Sequence, residues 1–379
     1  MNRKFWLDIH LYLGLLTVLP LIAVAVTGGI LGFQQEIEVL THPEIFEVHA
    51  AGDRLSAAEV ARKMKAEYPG ITIFHTAVFQ DPSRAWITYS SEGKLATDPY
   101  SGAIHIVPEG WWIDTVEQIH RSLTAGTVGR YVVGVSSALL LILLGTGVWL
   151  WIPMIRGTLT RWWARGTALA WHNVVGVATL PLMAAMAVTG ITLTFQLMPA
   201  VYWATGSPPF EQPKVERTAD DEVIPIAEAI ETARGVYPDL ILTGFKEPWD
   251  STQAHRVSFA RPDTWNDRGW LQVYIHPNTG EVVETVDTYV HSAGSVYQHT
   301  FFQFHTGEFF GLSGRVLWAL ASFLLPLIMG TGVYRWWKKQ RGTGHRSVSE
   351  IVESEEDLTA RTAAVPASEA SSVTPAAKN

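Results

Sequence analysis

The sequence predicts an α-helical membrane protein: a four-helix transmembrane bundle from an internal duplication, with two small α+β domains held outside the membrane. Three observations predict it. Four stretches are almost free of charge, the basic residues flanking them fall on one side, and the same residue types recur at two fixed offsets.

The stretches are Leu11 to Phe33, Val132 to Ile152, Val174 to Leu197 and Val316 to Val333. Each approaches the roughly 20 residues that a helix needs to cross a hydrocarbon core of about 30 Å. Buried helices of a soluble protein are the alternative. Against them, Trp149, Trp151, Trp162, Trp163, Trp171, Trp336 and Trp337 border the runs as an interfacial aromatic belt does. The first run follows Arg3 and Lys4, but it is too long for the apolar part of a signal peptide and no small-x-small cleavage site follows.

Arg3 and Lys4, then Arg156, Arg161 and Arg165, then Arg335, Lys338, Lys339 and Arg341 lie at the ends that four spans place together. The positive-inside rule makes that side cytoplasmic, with both termini. The expected order is helix 1 (6–33), an outside domain (34–127), helix 2 (128–152), a cytoplasmic loop (153–168), helix 3 (169–197), a second outside domain (198–311), helix 4 (312–338) and a tail (339–379). From about 342 the chain is rich in Ser, Ala, Thr and Glu and poor in large apolar residues, so a disordered tail is expected. The segments 34–127 and 198–313 hold 29 Asp and Glu against 14 Lys and Arg, which argues against nucleic acid as their partner.

The repeat joins polar residues and glycines at fixed offsets. His10, Gly14, Thr27-Gly28 and Phe33-Gln34 recur 162 positions later as His172, Gly176, Thr189-Gly190 and Phe195-Gln196. His120, Gly126, Gly129-Arg130, Gly145-Thr146-Gly147-Val148 and Trp151 recur 185 positions later as His305, Gly311, Gly314-Arg315, Gly330-Thr331-Gly332-Val333 and Trp336. Apolar similarity alone would not match His, Thr-Gly, Gly-Arg and Phe-Gln together. The outside segments repeat more loosely. Ser56 to Gly70 and Pro225 to Asp239 each read as an amphipathic helix ending at Tyr-Pro. Strand-like runs follow at 71–79 and 85–89, and at 240–245, 256–260 and 271–275. A Gly-bearing turn and a further apolar run close each copy, at Asp98 and at His276.

Cysteine is absent, which excludes disulfides, thioether-linked c-type haem and cysteine-ligated iron–sulfur clusters. A redox centre would need other ligands. His10 and His172 open helices 1 and 3 at the cytoplasmic face; His120 and His305 precede helices 2 and 4 at the outer face. With the halves related by a two-fold axis along the membrane normal, each pair meets at one depth, as six-coordinate haem b requires. Interfacial histidines without a ligand are the competing reading.

His120 raises a geometric problem. It lies ten residues before Arg130, so a straight helix would lift it about 15 Å above that arginine. Either Gly126 and Gly129 bend the chain so that it descends, or helix 2 begins early and projects outward. His291 and His299 are rival outer ligands, ranked lower because neither has a repeated counterpart. Arg130 and Arg315 could face haem propionates or lipid phosphate. Gly28 and Gly190 lie eighteen residues past their histidines, about 27 Å along the helix. They and Gly145, Gly147, Gly330 and Gly332 would admit a flat macrocycle, or only close helix packing. H-E-x-x-H, G-x-S-x-G, P-loop and G-x-G-x-x-G patterns are all missing, so hydrolase, NTPase and nucleotide-binding readings have no support.

The order of His10-x3-Gly14 with Thr27-Gly28, the helix ending Tyr68-Pro69-Gly70, the turn Asp98-Pro99-Tyr100-Ser101-Gly102, His120-Arg121-x-Leu123 before Gly129-Arg130, and Gly147-x3-Trp151-Ile152-Pro153 resembles the PepSY-associated transmembrane family. The similarity runs from about residue 4 to 340. Its length, four helices and lack of a flavin-reductase domain are most like the ferric-siderophore reductases of bacterial inner membranes. The resemblance implies two PepSY-like periplasmic domains and two b-type haems on His10, His172, His120 and His305. It implies electron flow from a cytoplasmic-side donor, such as quinol or a flavoprotein, to a periplasmic ferric siderophore of the hydroxamate type. Trp111, Trp112, Trp249, Trp265 and Trp270 are candidates for the walls of a docking cleft, or for domain core. The alternative is a non-enzymatic module that regulates a periplasmic peptidase, or an accessory or permease subunit of iron uptake.

Overall fold

The computed structural model describes residues 2–50, 52–155, 168–209, 211–216, 222–262, 271–288 and 292–363, with side chains as far as Arg341. Arg156, Arg161, Arg165, Trp162, Trp163, Trp265, Trp270 and His291 lie outside the described residues. The first half comprises α1 (Arg3–Leu31), α2 (Gln34–Thr41), α3 (Pro43–Phe46), α4 (Ala57–Glu67), β1 (Ile73–Ala77), β2 (Trp86–Ser90), β3 (Gly93–Thr97), β4 (Ile104–Ile106), α5 (Trp112–Ser122) and α6 (Gly126–Trp151). The second comprises α7 (Ala168–Phe195), α8 (Met198–Thr205), α9 (Ile226–Val236), β5 (Ile241–Lys246), β6 (His255–Ala260), β7 (Leu271–Ile275), β8 (Val282–Asp287), α10 (Ala293–Thr306) and α11 (Gly311–Ala363).

Four helices are long and apolar enough to cross a membrane: Arg3–Leu31, Gly126–Met154, Ala168–Phe195 and Glu308–Arg341. They form a ring in which α1 and α7 each touch both α6 and α11. Leu21, Leu140, Leu143, Val175, Met183, Ala187, Leu325, Ile328 and Met329 fill the centre. Leu16, Leu19, Val128, Val135, Leu317 and Leu320 point outward and stay exposed, as lipid-facing residues do. Trp149, Trp171 and Trp337 are likewise exposed near the end that carries the N-terminus. This is a membrane protein.

The outside segments differ from expectation in one respect: they are not two separate sheets. Their strands form one antiparallel sheet in the order β4-β3-β2-β1-β5-β6-β7-β8. The seam pairs Thr76 with Phe245 and Ala77 with Gly244. Each half-sheet alone would leave β1 or β5 as an open edge with unpaired backbone groups, and pairing them removes that liability. Glu247 fastens the seam, accepting from the Ile73 N–H at 2.7 Å and from Lys65 Nζ at 2.8 Å. Arg62 pairs with Glu231 between α4 and α9. Both helices lie on one face of the sheet, where Val60, Met64, Ile226, Ile230, Phe245, Phe259 and Val273 share one core. Ser56 and Glu59 start α4 with a reciprocal capping box. Strand β3, whose sequence Gly-Lys-Leu-Ala-Thr has no β-branched run, was not among the expected strands.

The tail also departs from expectation. α11 continues to Ala363, well past the predicted end of helix 4 at 338 and into the segment read as disordered. Residues 350–363 include four Glu and two Ala, good helix formers, and extending an existing helix avoids the cost of nucleating a new one.

Candidate functional site

The chain approaches α6 through a reversal. α5 ends at Ser122, and Leu123, Thr124 and Gly126 all adopt positive φ (49°, 59° and 55°). In the second half Gly307 and Gly311 do the same (80° and 61°). The reversal brings the Ser122 carbonyl so close to Gly129 that a Cβ there would lie 1.7 Å away; Gly307 and Gly314 repeat the contact at 2.2 Å. Glycine is required at both positions. The turn therefore folds α5 back, and His120 descends beside α1 instead of standing above the membrane. This resolves the 15 Å problem through the first of its two solutions.

The four repeated histidines meet in two pairs. The His10 and His172 ring centroids are 6.1 Å apart, and those of His120 and His305 are 6.0 Å apart. Two imidazoles ligating one metal from opposite sides through Nε2, at about 2.0–2.1 Å each, have centroids roughly 6 Å apart. Both pairs fit a bis-histidine iron. His305, not His299, is the ring that faces His120.

All four rings lie against a Thr-Gly pair on a neighbouring helix, two bonded to a backbone carbonyl and two to the threonine hydroxyl. His120 Nδ1 donates to the Val24 carbonyl at 2.9 Å, with Thr27 Oγ1 at 3.5 Å. His172 Nδ1 donates to the Ile328 carbonyl at 2.9 Å, with Thr331 Oγ1 at 3.3 Å. His10 and His305 instead take the hydroxyls of Thr146 and Thr189, both at 2.9 Å. Each of these two hydroxyls donates in turn to a carbonyl one turn back, Ile142 or Ala185, and so accepts from the ring. Nδ1–H is thereby committed at every ring, which leaves Nε2 as the nitrogen for a metal.

The glycine after each threonine makes room for the ring. A Cβ at Gly28 would sit 2.7 Å from His120 Cε1; at Gly147, Gly190 and Gly332 the distances to His10, His305 and His172 would be 3.3, 3.4 and 3.7 Å. These four glycines accommodate the histidine itself, a use the sequence reading did not anticipate. Gly145, Gly176 and Gly330 have nothing within 4 Å of such a Cβ.

Arg130 and Arg315 also mirror each other. Arg130 donates Nε and Nη2 to the Thr194 carbonyl (3.0 and 2.6 Å), and Arg315 donates the same atoms to the Gly32 carbonyl (3.0 and 2.8 Å). Arg315 also reaches Glu36 at 2.5 Å. Burial is the largest single influence and works against charge on Glu36, but the Arg315 hydrogen bond, the Glu36 backbone N–H and the Arg315 and Arg84 charges together outweigh it and hold the carboxyl below its usual range. Both arginines line the wall beside His120 and His305, and their hydrogen bonds among the described residues use Nε and Nη2. That suits the carboxylates of a macrocycle.

A chamber of about 1690 Å³ runs from the middle of the bundle, at Leu21, Leu140, Met183 and Leu325, past His120 and His305 to the underside of the sheet. Its roof includes His75, Tyr89, Lys94, Thr243, Gly244, Arg256, Ser258 and Gln272. The expected tryptophan walls are absent among the described residues. Trp111 is buried with Phe46 and packs on His42 (4.2 Å between centroids), while Trp112 and Trp249 face outward. None of the three lines the chamber. The roof residues were not singled out in sequence because they alternate with core residues on ordinary strands.

Compared with known proteins, residues 7–339 match the model of a family described as the PepSY-associated TM region. No curated protein matches the sequence significantly.

Proposed function

The chain belongs to the family of proteins with a PepSY-associated transmembrane region, and from that premise we propose that it is a haem-b oxidoreductase of the bacterial inner membrane that reduces ferric chelates in the periplasm. The observation that carries this reading is the pairing of four repeated histidines at 6.1 and 6.0 Å, each with Nδ1 already engaged. His10 with His172, and His120 with His305, would hold one haem b each. When bound, the two haems supply one-electron transfer across the bundle.

The protein's own residues do the rest. The carbonyls and threonines fix the ring tautomers, so no proton need move at Nδ1 when the charge at the metal changes. Arg130 and Arg315 would be placed to hold the propionates of the outer group. The two pairs lie at different depths: His10 and Thr27 are seventeen residues apart on α1, about 25 Å. Between them the Leu21, Leu140, Met183 and Leu325 layer is apolar and bars water. The chamber beyond His120 and His305 has room for a chelate under the sheet. Hard oxyanion donors hold ferric iron far more tightly than ferrous iron, so one-electron reduction is enough to release it. Orientation follows the basic flanks, with both termini cytoplasmic and the sheet periplasmic. Quinol or a cytoplasmic flavoprotein would meet the His10–His172 side. The near-equivalence of the halves, in residues and in contacts, supports their origin by duplication.

The test is a reduced-minus-oxidised visible spectrum with haem quantitation on purified protein. Two haems per chain and a split α-band are expected, with about one haem lost in His10→Ala and one in His305→Ala. A colourless preparation sinks the reading.

A further inference from the structure

The chamber's cations are unevenly matched. Lys94 is paired with Glu38 at 2.8 Å and Arg121 with Glu117 at 2.7 Å, while Arg315 holds Glu36 and a carbonyl and Arg130 holds a carbonyl. Arg256 on β6 differs. Like Arg84, which holds Gln35, and Arg130, it lines the chamber with no carboxylate within ion-pair distance among the described residues; unlike that of Arg130, its buried Nε makes no hydrogen bond, and its polar neighbour across the sheet on β7 is the Tyr274 hydroxyl. Its neighbour across the sheet on β5 is a second cation, Lys246, which is only 5% exposed and lies 4.3 Å from the Trp249 ring centre. Like charges directly opposite each other in a sheet repel, and burial removes the water that would screen them. In the next cross-strand row Ser258 and Gln272 offer neutral hydrogen-bonding groups to the chamber. The outside segments as a whole are acidic, so this local excess of positive charge, which among the described residues Asp250 offsets in part at Lys246, is not a general property of the surface.

Resting on the reductase reading above, we infer that Arg256, with Ser258 and Gln272 beside it and Lys246 behind it, is an oxyanion site in the chamber roof that selects ferric chelates of net negative charge, such as polycarboxylates. A guanidinium offers two parallel N–H groups to one carboxylate, and an occupant would supply the missing counter-charge. The burial-lowered basicity of Lys246 agrees with a position built around an absent anion. A cationic hydroxamate chelate would meet repulsion here, so the site narrows the substrate class that the family resemblance implied.

The experiment uses full-length protein in uncharged nanodiscs and redox-inert gallium(III) complexes, with binding followed by calorimetry. Gallium citrate should bind, and Arg256→Gln should weaken it about tenfold or more, as expected for a lost charge-assisted bidentate contact. Arg256→Lys should recover part of the loss, because it keeps the charge without the fork. The gallium complex of a cationic trihydroxamate should bind more weakly than gallium citrate and be indifferent to Arg256→Gln. Unchanged citrate affinity in Arg256→Gln, in a variant with normal haem content and melting temperature, overturns the inference; so does equal affinity for the two chelates. The two readings fail separately. A colourless protein that still binds gallium citrate through Arg256 loses the reductase reading and keeps the site, whereas a haem-loaded protein insensitive to Arg256 does the reverse.

Discussion

Adding one methyl group at each Thr-Gly glycine produces a graded series. At Gly28 the new Cβ would lie 2.7 Å from His120 Cε1 and 3.1 Å from Nδ1. Carbon contacts settle near 3.5–4.0 Å, so the ring must retreat by roughly 0.8 Å. That retreat stretches its 2.9 Å bond to the Val24 carbonyl past the hydrogen-bonding range. Overpacking costs about 1–3 kcal/mol and the lost bond about 1, offset by about 1 from alanine's better helix propensity. The balance is about 1–3 kcal/mol against a correctly placed His120, or roughly a 5- to 150-fold loss of affinity for the proposed outer haem. At Gly147 and Gly190 the contacts of 3.3 and 3.4 Å ask for only a few tenths of an ångström. At Gly332 the 3.7 Å contact is ordinary, so Gly332→Ala should leave the site intact and gain up to about 1 kcal/mol of helix stability. Haem content per chain and the melting temperature of all four variants make the assay. The expected order of damage is Gly28→Ala first, Gly147→Ala and Gly190→Ala together, and Gly332→Ala last. A Gly28→Ala protein with two haems and a native spectrum would refute the reasoning, as would a Gly332→Ala protein damaged more than Gly28→Ala.

Three further outcomes follow from the same contacts. Thr146→Val and Thr189→Val remove the hydroxyls on which His10 and His305 lean, so each should raise the reduction potential of its own haem, with serine restoring it. Thr27→Val and Thr331→Val, where the carbonyl is the shorter partner, should shift theirs less in a redox titration. Burial, then the Arg256 charge, lowers the Lys246 ammonium from its ordinary 10.5 to about 8. Between those values the unfolded chain binds the extra proton, so stability should rise with pH from about 8 to about 10.5. Lys246→Met should flatten that slope and gain about 1–3 kcal/mol at pH 7, measured by denaturant unfolding at pH 7 and 10. Glu247→Gln strips the partner from Lys65 at the β1–β5 seam and should cost about 2–3 kcal/mol, read as earlier melting of the sheet. No change in melting there would mean that the seam does not depend on this carboxylate.

The spans were legible because a bilayer demands about 20 apolar residues in succession, a local property of the sequence. The ligand candidates stood out because His10, His120, His172 and His305 repeat at fixed offsets. The Thr-Gly function did not, since a side chain arriving from another helix leaves no periodic trace: Gly28 looks the same in sequence whether it admits a helix or His120. The fused sheet was hidden for a similar reason. Thr76 and Phe245 carry no signal that names each other across the chain, and edge pairing is decided by what else covers the edge. Arg256 was passed over because an arginine on a strand is unremarkable until its unbonded Nε and its place beside Lys246 are seen in three dimensions.

The seam between β1 and β5 has a consequence for assembly. Adjacent antiparallel strands are related by a two-fold rotation, and the same operation exchanges α1 with α7, α6 with α11, and the Arg130–Thr194 contact with Arg315–Gly32. The junction is isologous in form, the kind that two identical subunits make. A half-length chain with one copy of each element would have a self-complementary edge and bundle face, and its dimer would bring two like histidines together at each depth. Joining the halves covalently removes the concentration dependence of such a dimer. It also lets them diverge. In a homodimer the tight fit of His120 on Gly28 would have to be shared by both sites; in one chain His305 keeps a looser fit on Gly190, and Arg256 needs to occur only once.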